Sequence, residues 1–193
     1  MIFWLTLQII FFFILKAVGD CRSAVMIDFE TFLSRTLSRK EIVSFAEEVD
    51  ATPERLSELL ALLDHPNRQL AWHAAWALEK LFEKYPEHFQ QNILNHLSDK
   101  IINTNNESIR RLLLNIISFA NLPDDLPIAL INSCFEWILF VKTPIAVKVA
   151  SIYYLQRVCQ RELELMTELK LCVQLLLEND SSPAICSVAR MII

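Results

Sequence analysis

Apolar residues recur along this chain at the i, i+3, i+4 spacing of amphipathic helices, and prolines punctuate the pattern. The seven prolines are Pro53, Pro66, Pro86, Pro123, Pro127, Pro144 and Pro183, and each falls between two apolar-periodic segments. The spacing predicts helices over roughly 28–36, 39–49, 53–63, 68–84, 87–101, 106–120, 125–140, 144–160, 163–178 and 183–192. Three starts carry a local signal, Thr52-Pro53, Thr143-Pro144 and Ser182-Pro183. There a hydroxyl N-cap precedes a proline at the first helical position, which needs no amide donor. Glu54 adds a carboxylate at the positive end of its helix. The connections are short, so successive helices are expected to pack antiparallel as hairpins.

The apolar phase also repeats over a longer period. Leu70-Ala71-Trp72-His73-Ala74-Ala75-Trp76-Ala77-Leu78 is followed 39 residues later by the run Ile109 to Ile117. Two further steps of 38 residues reach the runs Val147 to Leu155 and Ile185 to Ile193. The copies align without insertions. A steady period of this length, with two helices per unit, marks an α-solenoid, in which each hairpin buries its apolar face only by stacking on its neighbours.

Composition narrows the chemistry. Of 193 residues only Gly19 is a glycine. A phosphate-cradling loop needs glycines for positive φ and close backbone approach, so P-loop and dinucleotide-binding folds are excluded. The formal net charge is −5, and −6 without residues 1–25, which carry Lys16, Asp20 and Arg22. That balance disfavours nucleic acid, whose binding depends on basic groups that displace counterions from phosphates. The five cysteines, Cys21, Cys134, Cys159, Cys172 and Cys186, form no C-x-x-C pair. The last four lie in apolar helical stretches, as reduced core thiols do, which points to the cytoplasm.

Residues 1–25 stand apart from the repeat domain expected over 26–193. Met1 to Leu15 is apolar except for Thr6 and Gln8, and is shorter than the about 20 residues of a membrane span. Ala17-Val18-Gly19 offers a small-x-small cleavage site, but no Lys or Arg precedes the apolar core. Asp20 stands before Cys21, where a lipoprotein carries a small residue. Three readings stay open: translation from Met26, an export signal, or an uncleaved anchor. A membrane is a partner only if this segment is translated and retained.

From Leu59-Leu60-Ala61-Leu62-Leu63-Asp64 through Pro66 to Leu70–Leu78, the chain resembles a HEAT repeat. That family, of armadillo-type fold, ends its first helix in a Leu-rich run and Asp. Its second helix opens with Val-Arg and an Ala-rich ridge. Ile109-Arg110 and Val147-Lys148 match the Val-Arg step, whereas Ala71 and Cys186 depart from it. The resemblance covers roughly 28–193 and implies an all-α solenoid of about four repeats, with second helices lining its concave side. Ala74-Ala75-Trp76-Ala77-Leu78-Glu79 is also similar to the core of small bacterial HEAT-like proteins often labelled adenylosuccinate lyase. The lyase loop Ser-Ser-x-Met-Pro-x-Lys-x-Asn has no counterpart here, so that activity does not carry over.

Candidate chemistry is sparse. The histidines are His65, His73, His88 and His96, without an H-E-x-x-H motif. His88 and His96 share a helix face but are separated by about 12 Å of axis, too far for one metal ion. Asp124-Asp125, between Pro123 and Leu126-Pro127, reads as a capping turn. No catalytic residue, metal or cofactor is expected.

One stripe rises above this background. On the helix over 68–84, Ala71, Ala74, Ala75, Leu78, Leu81, Phe82 and Tyr85 form the buried face. Trp72, Trp76, Glu79 and Glu83 run beside it, continued in the repeat frame by Arg111 and Asn115, by Tyr153 and Gln156, and by Ser187 and Met191. Two indoles of about 150–250 Å² each are expected to touch a neighbouring repeat or a ligand. The leading expectation is a non-enzymatic interaction module that binds a protein or peptide through Trp72, Trp76, Glu79, Arg111, Asn115, Tyr153 and Gln156. The alternative is a HEAT-like alkylpurine DNA glycosylase, which resembles this chain in its aromatic residues and acid (here Trp72, Trp76 and Glu79), although the acidic charge opposes it. Val188 and Met191-Ile192-Ile193 suggest an apolar last hairpin, coverable by a second copy as a homodimer.

Overall fold

A computed structural model describes residues 28–49 and 51–193. Residues 1–25, including the signal-like segment and Cys21, lie outside the described residues. Among the described residues there are ten α-helices and no strand. They are α1 Phe29–Leu33, α2 Arg39–Glu48, α3 Pro53–Leu62, α4 Arg68–Lys84, α5 Gln91–Asn103, α6 Glu107–Phe119, α7 Ile128–Leu139, α8 Ile145–Arg161, α9 Leu165–Asn179 and α10 Pro183–Ala189. A 3-10 turn, Pro86–His88, follows α4.

The helices stack as hairpins. First helices α3, α5, α7 and α9 each pack on their second helices α4, α6, α8 and α10. Second helices pack in series, α2 on α4, α4 on α6, α6 on α8 and α8 on α10, and among the described residues the last does not pack closely on the first. The result is an open stack, the all-α solenoid that the 38–39 residue period predicts.

Local sequence explains most boundaries. Ser38 and Glu41 form a reciprocal capping box at the start of α2. The Thr52 hydroxyl accepts from the Arg55 amide, and Asn67 and Asn106 cap α4 and α6 through their side-chain oxygens. Three expectations need correction. Helix α5 begins at Gln91 rather than 87, because Pro86–His88 closes a separate tight turn. Helix α7 begins at Ile128 rather than 125, since Pro127 stands as its N-cap. Pro144 is itself the N-cap of α8, and neither Thr143 nor Ser182, the N-cap of α10, makes a side-chain capping bond.

One continuous core runs between the two rows. Ala74, Ala75, Ala77, Leu78 and Leu81 of α4, Leu113 and Leu114 of α6, and Ile152, Tyr154 and Leu155 of α8 are wholly buried. Small alanines on α4 let α2 and α6 approach it on either side. Tyr85, expected on this face, is only half-buried as the C-cap of α4. Cys134, Cys159 and Cys172 are buried thiols, and Cys186 is half-buried.

Hydrogen bonds from one repeat to the next stitch the stack. His73, 1% exposed, has Nδ1 2.8 Å from the Leu33 carbonyl. Arg157 donates to the carbonyls of Ser118 and Ala120 at the end of α6. Arg161 does the same at Pro123 and Asp124, and Lys84 caps α2 through the Glu47 carbonyl. In the arginine and lysine cases a cation on one second helix reaches carbonyls at or just beyond the end of the second helix before it, where the helix dipole favours positive charge.

Candidate functional site

On α4 the buried residues leave a solvent-facing stripe at Gln69, Trp72, Trp76, Glu79 and Glu83. The two tryptophans are half-buried, packed along one edge of the core. Their rings stack on one another at 5.4 Å between centroids, 22° apart in plane. Trp72 also leans on the His73 ring, 4.8 Å away. The pair thus forms an apolar shelf whose inner edge belongs to the core and whose outer edge meets solvent.

The neighbouring second helix continues the surface. Asn115 Nδ2 donates to Glu79 Oε1 at 2.7 Å, which ties α6 to α4 on this side. Lys80 lies 3.6 Å from Glu79 and is also paired with Glu83. Glu79 is therefore held by one amide and one ammonium, with its side chain 12% exposed. Arg111 stands one turn before Asn115 and is half-buried. Among the described residues its guanidinium makes no ion pair and no hydrogen bond. Tyr153 is 37% exposed on α8, and Gln156 beside it is half-buried.

The structure thus brings Trp72, Trp76, Glu79, Arg111 and Asn115 into one neighbourhood on α4 and α6, with Tyr153 and Gln156 on the next second helix. It adds two residues that the sequence reading passed over. Phe119, 74% exposed, follows Asn115 by four positions, and half-buried Val149 precedes Tyr153 by four. Their helical spacing from Asn115 and Tyr153 was the available signal.

A separate opening lies away from this face. A cleft of about 610 Å³ separates first helices α3 and α5, lined by Pro53, Ser57, Leu60, His88, Ile93 and His96 among others. It forms where the Pro86–His88 turn carries the chain out before α5 begins. Among the described residues no three His, Cys, Asp or Glu side chains are arranged to hold a metal ion.

The hairpin stack, the cross-repeat bonds and the unbroken 38–39 residue phase agree with a family comparison. The HEAT repeat domain family matches residues 29–193. The chain belongs to the HEAT-repeat family. No curated protein and no protein of solved structure matches it. Within this HEAT-repeat protein, the final hairpin buries part of its apolar end and exposes the rest. Val188 and Ile192 are packed inward, whereas Met191 and Ile193 remain 47% and 55% exposed. Among the described residues, no helix is long and apolar enough to cross a membrane.

Proposed function

We propose that this HEAT-repeat protein is a non-enzymatic interaction module that binds a protein or peptide across its second-helix row, the concave side of such stacks. The observation that carries this reading is the stacked, half-buried Trp72–Trp76 pair. Covering what remains exposed of both indoles gains on the order of 2 kcal/mol at about 25 cal/mol per Å². Phe119, Val149 and Tyr153 extend the apolar area, and Arg111, Asn115 and Gln156 supply polar groups among them. Aromatic anchors beside a few polar groups are the composition of binding hot spots.

Catalysis finds less support. Burial pushes the thiols of Cys134 and Cys159 up to about 12 and about 11, which keeps them as inert core residues. The DNA glycosylase alternative needs a free acid in a basic groove, yet Glu79 is occupied by Asn115 and Lys80. Lys80 is itself neutralised by Glu79 and Glu83. Four unpaired cysteines fit the cytoplasm. A second copy covering Met191 and Ile193 is a further candidate partner.

The test is capture of partners from the source cell with the full chain and with its Trp72→Ala, Trp76→Ala double variant. Loss of a captured protein, with helix content and melting retained, supports the floor as the binding face. Unchanged capture refutes it.

A further inference from the structure

The polar groups of the second-helix face are unequally satisfied, and that inequality says what a partner must bring. Glu79 has both Asn115 and Lys80, Lys80 has both Glu79 and Glu83, and Asn115 has Glu79. Arg111 has none of these partners among the described residues, although it is half-buried. The bond from Asn115 to Glu79 fixes its place: Trp76 stands one turn before Glu79 and Arg111 one turn before Asn115. On neighbouring helices running the same way, Arg111 therefore stands on α6 across from the stretch of α4 that carries the tryptophans.

Solvent satisfies Arg111 in the free protein. Any occupant that covers the shelf also removes water from that guanidinium, and a desolvated, unpaired charge costs far more than the apolar area returns. A carboxylate is the acceptor that matches the planar fork of arginine. A basic or purely apolar occupant has no group to offer there.

Resting on the binding-face reading above, we propose that the occupant is an acidic peptide segment whose Asp or Glu side chain pairs with Arg111 while an apolar or aromatic neighbour lies on Trp72 and Trp76. Glu79 and Glu83 do not repel that carboxylate strongly, because Lys80 sits between them. The source is a side-chain carboxylate within a segment, since exposed aromatic residues lie beyond Arg111 as well, Phe119 on α6 and Tyr153 on α8.

The experiment uses the full chain and three short fluorescein-labelled peptides, amidated at the C-terminus. They share the same Leu, Trp and Pro positions and carry Glu, Ser or Lys at the others. A fourth peptide has Ser at those positions and a free C-terminal carboxylate. Anisotropy titrations are made with the parent protein and with Arg111→Gln, Arg111→Lys and Trp76→Ala, each checked for unchanged helix content. The expected result is that the Glu peptide binds roughly tenfold more tightly than the Ser or Lys peptides. Arg111→Gln abolishes that preference, Arg111→Lys restores part of it, and Trp76→Ala weakens every peptide. If the peptides bind alike and Arg111→Gln changes nothing while Trp76→Ala still weakens them, the acidic preference is wrong and the binding face stands. Preference for the free-carboxylate peptide alone overturns the side-chain source. Binding that ignores both residues, or no binding at all, overturns the face and the proposal together.

Discussion

The indole rings of Trp72 and Trp76 lie stacked on the exposed edge of α4, their centroids 5.4 Å apart. Their attachment points are four positions apart on one helix, so the rings meet without any partner. A preformed aromatic shelf loses little side-chain entropy on binding, which is the cost that weakens most surface contacts.

Replacing both tryptophans with alanine is therefore expected to separate binding from folding. Each indole is half-buried, so the stability loss falls below the about 3–5 kcal/mol of a fully buried tryptophan. Partner affinity is expected to fall by more than about 2 kcal/mol. Calorimetric titration and a thermal melt on the same samples decide it; a collapsed melt assigns the pair to the core.

How much of this was legible follows from the kind of signal each feature leaves. The repeat was legible because burial recurs from copy to copy: Leu78, Ile117, Leu155 and Ile193 stand in phase, and of these only Ile193 is exposed. Boundaries carried by a side-chain cap, as at Thr52, were legible too. The start of α5 was not, because Glu87 and His88 have the polarity of a helix start while the chain spends them on a 3-10 turn.

The binding face was half legible. Tryptophans flanking a buried stripe can be read from spacing alone. That Glu79 is already bonded to Asn115 and that Arg111 is not bonded at all depends on side-chain geometry between repeats, to which no spacing rule speaks. Phe119 escaped for another reason: an aromatic in the last turn of a helix is usually core, and only the structure shows it 74% exposed.

The alanine ridge yields a second expectation. Ala75 is fully buried on α4, which packs on α2 and α6. Ala75→Leu has no void to fill, so it is expected to cost about 1–3 kcal/mol in urea denaturation. An unchanged midpoint would place the helix contact somewhere other than this face.

Arg110 gives a third. It is 8% exposed, and its Nε donates to the Ile101 carbonyl at 3.2 Å. Its terminal nitrogens engage the Thr104 carbonyl and Glu107, and the guanidinium lies 4.6 Å from the centre of the Trp137 ring. One side chain thus closes the end of α5 and meets the ring of the next first helix. Arg110→Ala is expected to cost about 2–3 kcal/mol, because two buried carbonyls lose their donor. Arg110→Lys recovers less than half of that, since a single ammonium cannot span the same acceptors. Equal stability of the lysine variant and the parent would show that charge alone is at work there.

Alkaline pH supplies the last expectation, and it rests on Cys134. This thiol is wholly buried in α7, and burial raises its ionisation from 9.0 to about 12, opposed only in part by Ser151 and by the charge of Arg110. Below about pH 9 the thiol is protonated in both the folded and unfolded chain, so its contribution to stability is constant. As pH rises above 9, the unfolded chain releases this proton while the folded chain keeps it, and unfolding becomes more favourable. The loss grows by about 1.4 kcal/mol per pH unit until the folded thiol itself ionises near 12. Tyr154 acts in the same direction at higher pH, because burial also raises its phenol, whose oxygen has no hydrogen-bond partner. Urea denaturation of the parent and Cys134→Ala proteins at several pH values between about 8 and 11 reads this directly. The variant starts less stable, having lost a buried sulfur, so the quantity compared is the slope with pH and not the midpoint. A shallower slope in the variant is expected; identical slopes would mean that Cys134 ionises as readily in the folded protein as in the unfolded chain.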